Sequence, residues 1–295
     1  MTSSIEEVGV WMKGNKLKMN DDKTELTATG SKSKLKQVST NSMVFQDCEI
    51  EFSKSVRNLG VFLDESLSME MQVNQSCKAL YFQLRRISKF RSFLTVDAAS
   101  TLAVAFILSC LDYCNSLLAG LPDHKLAKLQ RIQNSAARLV LRKPRRESAT
   151  PFLKILHCLP VKARIEYKVS TLCYQCLNSV AMPSYLCELL QPYKPARTLR
   201  SQASSLLVVP CFSLNTYGKR SLSVFGPATW NSLPVHVRQS QCLVTFKKQL
   251  KTYLFTKHLS QNERQGGGGA GVVVDTGRER GERERERRRR RKGTQ

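Results

Sequence analysis

Acidic residues are scarce in this chain: 23 Asp and Glu face 47 Lys and Arg, a net charge of +24 over 295 residues. A field of that sign disfavours basic partners and draws polyanions, nucleic acid first and acidic membrane surfaces second. Long hydrophobic runs are also missing. The most apolar stretch, Leu102 to Leu111, falls short of the roughly 20 residues that cross a bilayer, and Asp112 follows it. It reads as a core helix, and no membrane partner is expected. The start, M-T-S-S-I-E-E-V-G-V-W, has no cationic segment followed by an apolar one. An intracellular chain, nuclear or cytoplasmic, is therefore expected.

Recognisable catalytic motifs are absent too. There is no G-x-S-x-G, no P-loop, no H-E-x-x-H and no dinucleotide fingerprint. The four histidines, His124, His157, His236 and His258, are scattered, and none has a Ser or Cys nucleophile at a motif spacing. No catalytic residue, cofactor or small-molecule substrate is assigned.

What is present is an ordinary globular composition, 41% hydrophobic and 24% charged, enough for a sizeable core up to about residue 259. Residues 1–19 read as the end of a helix carrying Val8, Trp11 and Met12. Residues 20–23 are turn chemistry, followed by a short strand from Thr24 to Thr29 and a polar loop from Ser31 to Asn41. Met43 to Phe52 and Val56 to Leu63 read as strands, with Gly60 marking a bulge or close backbone approach. From Ser68 the period becomes helical: Met69, Val73, Cys77, Leu80, Leu84 and Ile87 recur at i+3 or i+4. A second helix spans Val96 to Leu118, ended by Gly120 and Pro122. Later helices fit Pro151–Leu156, Val161–Val180, Ser184–Leu190 and Leu243–His258. Residues 191–204 read as loop, Leu206 to Val209 as a strand, and Phe225 to Pro234 as a fixed loop around a buried Trp230.

The helix from about Asp123 to Leu141 carries the strongest functional signal. Leu126, Leu129, Ile132, Ala136, Leu139 and Val140 gather on one face, and Arg131, Arg138 and Arg142 nearly opposite. Lys143, Arg145 and Arg146 follow, and no Asp or Glu occurs from Lys125 to Arg146. A charged helix face is usually only solvated; an acid-free one points to phosphate contact. The residues assigned to nucleic acid are Lys18, Lys23, Lys128, Arg131, Arg138, Arg142, Lys143, Arg145 and Arg146.

Ten cysteines read as thiols rather than disulfides in such a chain. Cys173 and Cys176 form one C-x-x-C, with His157, Cys158 and Cys187 in range. A structural zinc site needs four ligands in paired motifs; Cys176 instead continues the apolar row Ile165, Val169, Leu172 and Val180, and Cys110 and Cys114 also fall on a core face. Buried thiols, and no metal, are expected. Asp21 and Asp22 are a tempting carboxylate pair, but adjacent strand residues point to opposite faces, and a turn is the simpler reading.

After Gly266–Gly269, residues 278–292 hold nine Arg, one Lys and four Glu, a net +6 that leaves +18 for the rest. This tail has no apolar face and reads as disordered. Alternating Arg-Glu is also what a translated AG repeat encodes; Arg or Glu codons other than AGA and GAG would sink that origin.

Several blocks together carry a resemblance. Trp11 to Glu25, W-M-K-G-N-K-L-K-M-N-D-D-K-T-E, is similar to a block in reverse transcriptases of LINE-type (non-LTR) retrotransposons that follows their catalytic Y/F-A-D-D hairpin. Asn58 to Met69, N-L-G-V-F-L-D-E-S-L-S-M, resembles the strand at their palm–thumb boundary. Leu111 to Leu121 and Leu129 to Leu141 look like their thumb helices, and Phe225 to Leu233 and Phe246 to Phe255 like their C-terminal region. The similarity covers roughly residues 5–258. It implies RNA-directed DNA polymerase ancestry, with Mg²⁺ a cofactor only in an intact member. It also implies RNA or an RNA–DNA hybrid as partner and places Asn20, Lys23 and Thr24 at the remnant of a nucleotide site. Only ten residues precede Trp11 and none forms an A-D-D, so a truncated, non-catalytic fragment that still grips nucleic acid is expected. A helical protein-interaction module co-opted from such an element is the alternative, and a polymerase completed by a second chain a weaker one.

The expected fold is α+β and mostly α. Residues 1–65 would be a palm remnant of a few strands with an exposed sheet edge and apolar surface, 66–146 a thumb-like helical region, 147–259 a C-terminal helical region, and 260–295 the tail.

Overall fold

A computed structural model describes residues 2–18, 20, 23–38, 42–45, 48–178, 182–194 and 205–260. The readings of the Asp21–Asp22 pair, of the end of the Val161 helix at Val180, of most of loop 191–204 and of the tail from 261 lie outside them. The chain is α+β and mostly helical. None of its helices is long and apolar enough to cross a membrane among the described residues.

The N-terminal part has little to bury. Helix α1 (Thr2–Gly14) exposes Val8, Val10 and Trp11, and a single turn, α2 (Lys32–Leu35), lies where the sequence predicts a loop. Each of the two apolar runs read as one strand folds back as a hairpin. Strand β1 (Ser42–Phe45) pairs antiparallel with β2 (Cys48–Glu51), and β3 (Ser55–Asn58) with β4 (Val61–Asp64). The β3–β4 turn is Leu59-Gly60, with φ of +46° and +81°. A two-residue hairpin loop of this kind needs positive φ at both central positions, so Gly60 serves a turn and not a bulge. The run from Thr24 to Thr29 contributes only a parallel bridge, Leu26 to Phe52.

The approach to helix α3 (Glu70–Phe90) is braced by the Asp64 carboxylate of β4. Asp64 accepts from the Ser66 hydroxyl at 2.7 Å and from the Ser68 and Met69 amides at 2.8 and 2.9 Å. Three donors on one carboxylate fix the angle at which strand becomes helix, and the first helical amide, that of Glu70, donates to the Ser68 hydroxyl at 3.3 Å. Met69, Val73, Leu80, Leu84 and Ile87 are buried, as their spacing predicts.

Helix α4 (Val96–Ala103), capped by the Thr95 hydroxyl, runs through a π turn at Val104–Leu108 into α5 (Ser109–Asp112), then a 3-10 turn at Asn115–Leu118. The apolar run is therefore half core: Ile107, Leu108 and Leu111 are buried, whereas Val104 and Phe106 face outward.

Helix α6 (Asp123–Leu141) lies along α3. Its buried Gln133 donates to the Leu159 carbonyl at 2.8 Å, and Gln130 accepts from the Val161 amide at 2.8 Å. This amide pair seats the start of α8 (Val161–Asn178), beyond the short α7 (Thr150–Ile155). Helix α9 (Ser184–Glu188) follows, and Leu207 forms a lone bridge to Pro192 rather than a strand.

Phe225 to Pro234 is not a loop: α10 spans Leu222–Asn231 despite Gly226 and Pro227. Tertiary packing overrides the local preference. A Cβ on Gly226 would lie 3.1 Å from Cys173 Sγ, so glycine lets α10 close on α8. Trp230 is buried as expected, donates to the Ser205 carbonyl at 2.8 Å, and stacks on Phe246, which stacks on Tyr174. Phe246 belongs to α12 (Leu243–Ser260), which follows the short α11 (Val235–Arg238). One buried cluster runs from Val61 to Leu254, and a smaller one joins Ala137, Phe152, Leu153 and Leu259.

Candidate nucleic-acid interface

Helices α3 and α6 share a buried seam and leave an open groove of about 660 Å³ along one edge. Arg85 and Ser88 come from α3, Ser135 and Arg138 from α6, and Lys143 and Arg145 from the segment after it; Tyr81, Leu84 and Leu139 complete the lining. No carboxylate lines it. The reason is in the sequence: no acid occurs between Glu70 and Asp97, or between Asp123 and Glu147.

The end of α6 is held by arginines. Arg142 takes the left-handed conformation (φ +52°) that closes a helix, and the Lys143 amide donates back to the Arg138 carbonyl at 2.9 Å. Arg91, almost fully buried at the end of α3, donates to the carbonyls of Leu139 (2.9 Å), Val140 and Leu94 (2.7 Å). Burial, and next the charge of Arg142, pull its guanidinium below its ordinary value. It meets the partial negative charge of the helix end, where cations are favoured. Arg142 reaches over the same corner to the carbonyls of Arg91 and Ser92, both at 3.0 Å.

The residues assigned from sequence thus divide. Arg138, Lys143 and Arg145 come together in the groove, Arg138 half-buried and donating to the Glu147 carbonyl at 3.1 and 2.9 Å. Arg138 and Arg142 of the arginine row therefore border α3 instead of facing away from it. Arg131 and Arg146 are exposed, near in sequence but outside the lining. Arg142 acts as a cap, and Lys128 donates to Asn74 Oδ1 at 3.0 Å, tying α6 to α3. Lys18 and Lys23 are exposed on the N-terminal part and do not line the groove. At the residues the resemblance assigns to a nucleotide site, the Thr24 hydroxyl donates to the Asn20 carbonyl at 3.1 Å, as does the Lys23 amide at 3.2 Å.

Arg85, Ser88 and Tyr81 escape the sequence reading. The signal for them is the acid-free stretch in α3, equal in kind to that of α6. Beside them Arg86 lies over the Phe82 ring at 5.8 Å, and Phe82, Phe90 and Phe93 are exposed. A basic groove with neighbouring aromatic faces can hold phosphates and offer stacking surfaces to bases.

The cysteines depart from expectation. Among the described residues nine are free thiols, but of these only Cys173 is buried, and Cys110, Cys211 and Cys242 are exposed. Burial, and then Cys176, push Cys173 up to about 12; burial, and then Cys187 of α9, push Cys176 up to about 11. Among the described residues no group of three or more His, Cys, Asp or Glu could hold a metal ion. No protein family, curated protein or solved structure matches the chain.

Proposed function

We propose that the protein binds RNA or an RNA–DNA hybrid without sequence preference, through the α3–α6 groove. The observation that carries this is the convergence of Arg85, Arg138, Lys143 and Arg145 on one carboxylate-free groove beside Tyr81. The resemblance of the blocks around Trp11, Asn58, Leu111 and Leu129 to LINE-type reverse transcriptases supports the same reading, in which α3 to α6 are a thumb that grips primer and template. The 295 residues hold no Y/F-A-D-D, so binding without polymerisation is the activity proposed for this chain.

The test is a salt titration of the full chain with a fluorescent RNA–DNA hybrid, compared with the triple variant Arg85→Ala, Lys143→Ala, Arg145→Ala. The Arg-rich tail is common to both and cancels. Removing one phosphate-binding cation lowers the slope of log K against log salt by about 1, so the variant slope falls by about 3. Equal slopes would overturn the groove as the interface.

A further inference from the structure

The outer face of α3 carries more than one edge of the groove. Lys78, Phe82, Arg85, Arg86 and Lys89 recur at i+3 or i+4, and all five are exposed. The opposite side, with Val73, Leu80, Leu84 and Ile87, faces the core. None of the four cations has an ion pair among the described residues, and no acid occurs from Met71 to Val96. The stripe adjoins the groove, because Arg85 belongs to both.

The rings on this face contribute little to the fold. Phe82 is 58% exposed, Phe90 61% and Phe93 86%. Phe93 sits on a turn that is firmly held. The buried Arg91 donates to the carbonyls of Leu139, Val140 and Leu94, and Arg142 to that of Ser92 at 3.0 Å. Phe82 is steadied by Arg86, whose guanidinium lies 5.8 Å from the ring centroid. Phe82 and Phe90 stand about 12 Å apart along the helix axis. Three large rings so close together, rimmed by cations, mark an interaction surface.

Their arrangement selects the partner. A helix made for a membrane surface segregates apolar and cationic residues to opposite faces. Here the apolar side is inside the body, and rings alternate with cations on the other. A single nucleic-acid strand alternates in the same way: its phosphates meet Lys and Arg while its unpaired bases stack on phenylalanine. A duplex keeps its bases stacked on one another and offers the rings no free face.

We propose that the outer face of α3 holds the unpaired strand that runs on from a hybrid. Phe82, Phe90 and Phe93 are its base-stacking platforms, and Lys78, Arg86 and Lys89 meet its phosphates. The preferred substrate is then a hybrid with a single-stranded overhang, not a blunt one. The proposal rests on the groove reading for the seat of the duplex part.

Fluorescence anisotropy of the full chain tests it with one hybrid in three forms: blunt, with an overhang of about eight nucleotides, and with the same overhang made abasic. Work at about 0.3 M salt weakens the phosphate contacts common to all three. The overhang should tighten binding by about tenfold or more, the factor that stacking a base contributes, and the abasic overhang by less than about threefold. The triple variant Phe82→Ala, Phe90→Ala, Phe93→Ala leaves the core intact. It should bind the blunt hybrid as the native chain does and lose the preference for the overhang. Equal binding of blunt and overhang probes, an abasic overhang as effective as the natural one, or a preference that survives the triple variant would overturn the platforms. Failure of the groove looks different: blunt-hybrid affinity then ignores the Arg85, Lys143 and Arg145 substitutions, while an overhang preference that needs the three rings still supports the platforms. Capture of phosphatidylserine vesicles that the triple variant abolishes, without any overhang preference, would assign the face to a membrane and overturn the proposal.

Discussion

Residues before Val61 and residues after it are built in opposite ways. Among the residues up to Gly60 whose burial is described none is buried, and the segment is one hairpin of four-residue strands, the first strand of a second, one helix with exposed apolar residues and a single helical turn. Beyond Val61, one continuous cluster joins α3, α6, α8, α10 and α12. Isolated two-stranded hairpins are marginal in water. The first region therefore stands through its attachments to the second: Tyr217 donates to the Gly30 carbonyl at 2.6 Å, Tyr113 to the Leu59 carbonyl, and the Gly30 amide to the Glu65 carbonyl at 3.0 Å. Stability flows from the helical body to the hairpins. In the first region Val8, Val10 and Trp11 stay exposed on α1, and Leu17 just after it.

The contrast can be broken hardest in the body. Trp230→Ala removes a ring that packs between α8, α10 and α12, and should cost about 3–5 kcal/mol in urea unfolding. The joint comes next. Asp64→Ala deletes the acceptor of three donors where β4 meets α3, and should cost about 1–3 kcal/mol at neutral pH. Burial alone would raise the Asp64 carboxyl, but the bonds from Ser66, Ser68 and Met69 outweigh it and hold it below its ordinary 3.8. In the acid window the unfolded chain then binds the extra proton. The stability that Asp64 contributes is present above about pH 4 and lost as pH falls through the folded value. Urea midpoints measured downward from about pH 5 should drop more steeply in the native chain than in the variant.

Hydrogen exchange offers a finer division. The amide of Val56 should exchange at least about tenfold faster than those of Val169 and Cys173; equal protection would mean the two regions unfold as one. The smallest effect belongs to Trp11→Ala, which should change stability by no more than about 0.5 kcal/mol because its ring already faces solvent. A decrease comparable with that of Trp230→Ala would abolish the distinction.

Legibility in the sequence follows the same divide. Helix α6 is readable with the bounds it has, because Gly120 and Pro122 punctuate its start and its apolar row keeps period 3.6 throughout. The core row of α3 is equally plain. Val56 to Leu63 passes for one strand since Leu59-Gly60 is an unusual turn pair, without the Asn-Gly or Asp-Gly that announces such loops. Helix α10 is hidden because Gly226 and Pro227 argue against a helix locally, and only the close approach to Cys173 explains the glycine. Half of the groove is visible on α6. Arg85 is not, because membership depends on which edge of α3 lies against α6, a tertiary fact. Arg142 looks like a further phosphate ligand in the sequence and lies, with Arg91, in the clasp of a helix end.

The thiols carry a practical consequence. Cys242 is exposed at the start of α12, where hydrogen bonds from the Thr245 hydroxyl and amide lower its pKa. Cys173 and Cys176, held near 12 and 11, are almost wholly protonated at neutral pH. A maleimide dye added briefly in mild acid will find Cys242 before either of them. A fluorophore placed there rides on α12 and reports, through a change in its light, when α12 loosens from α8.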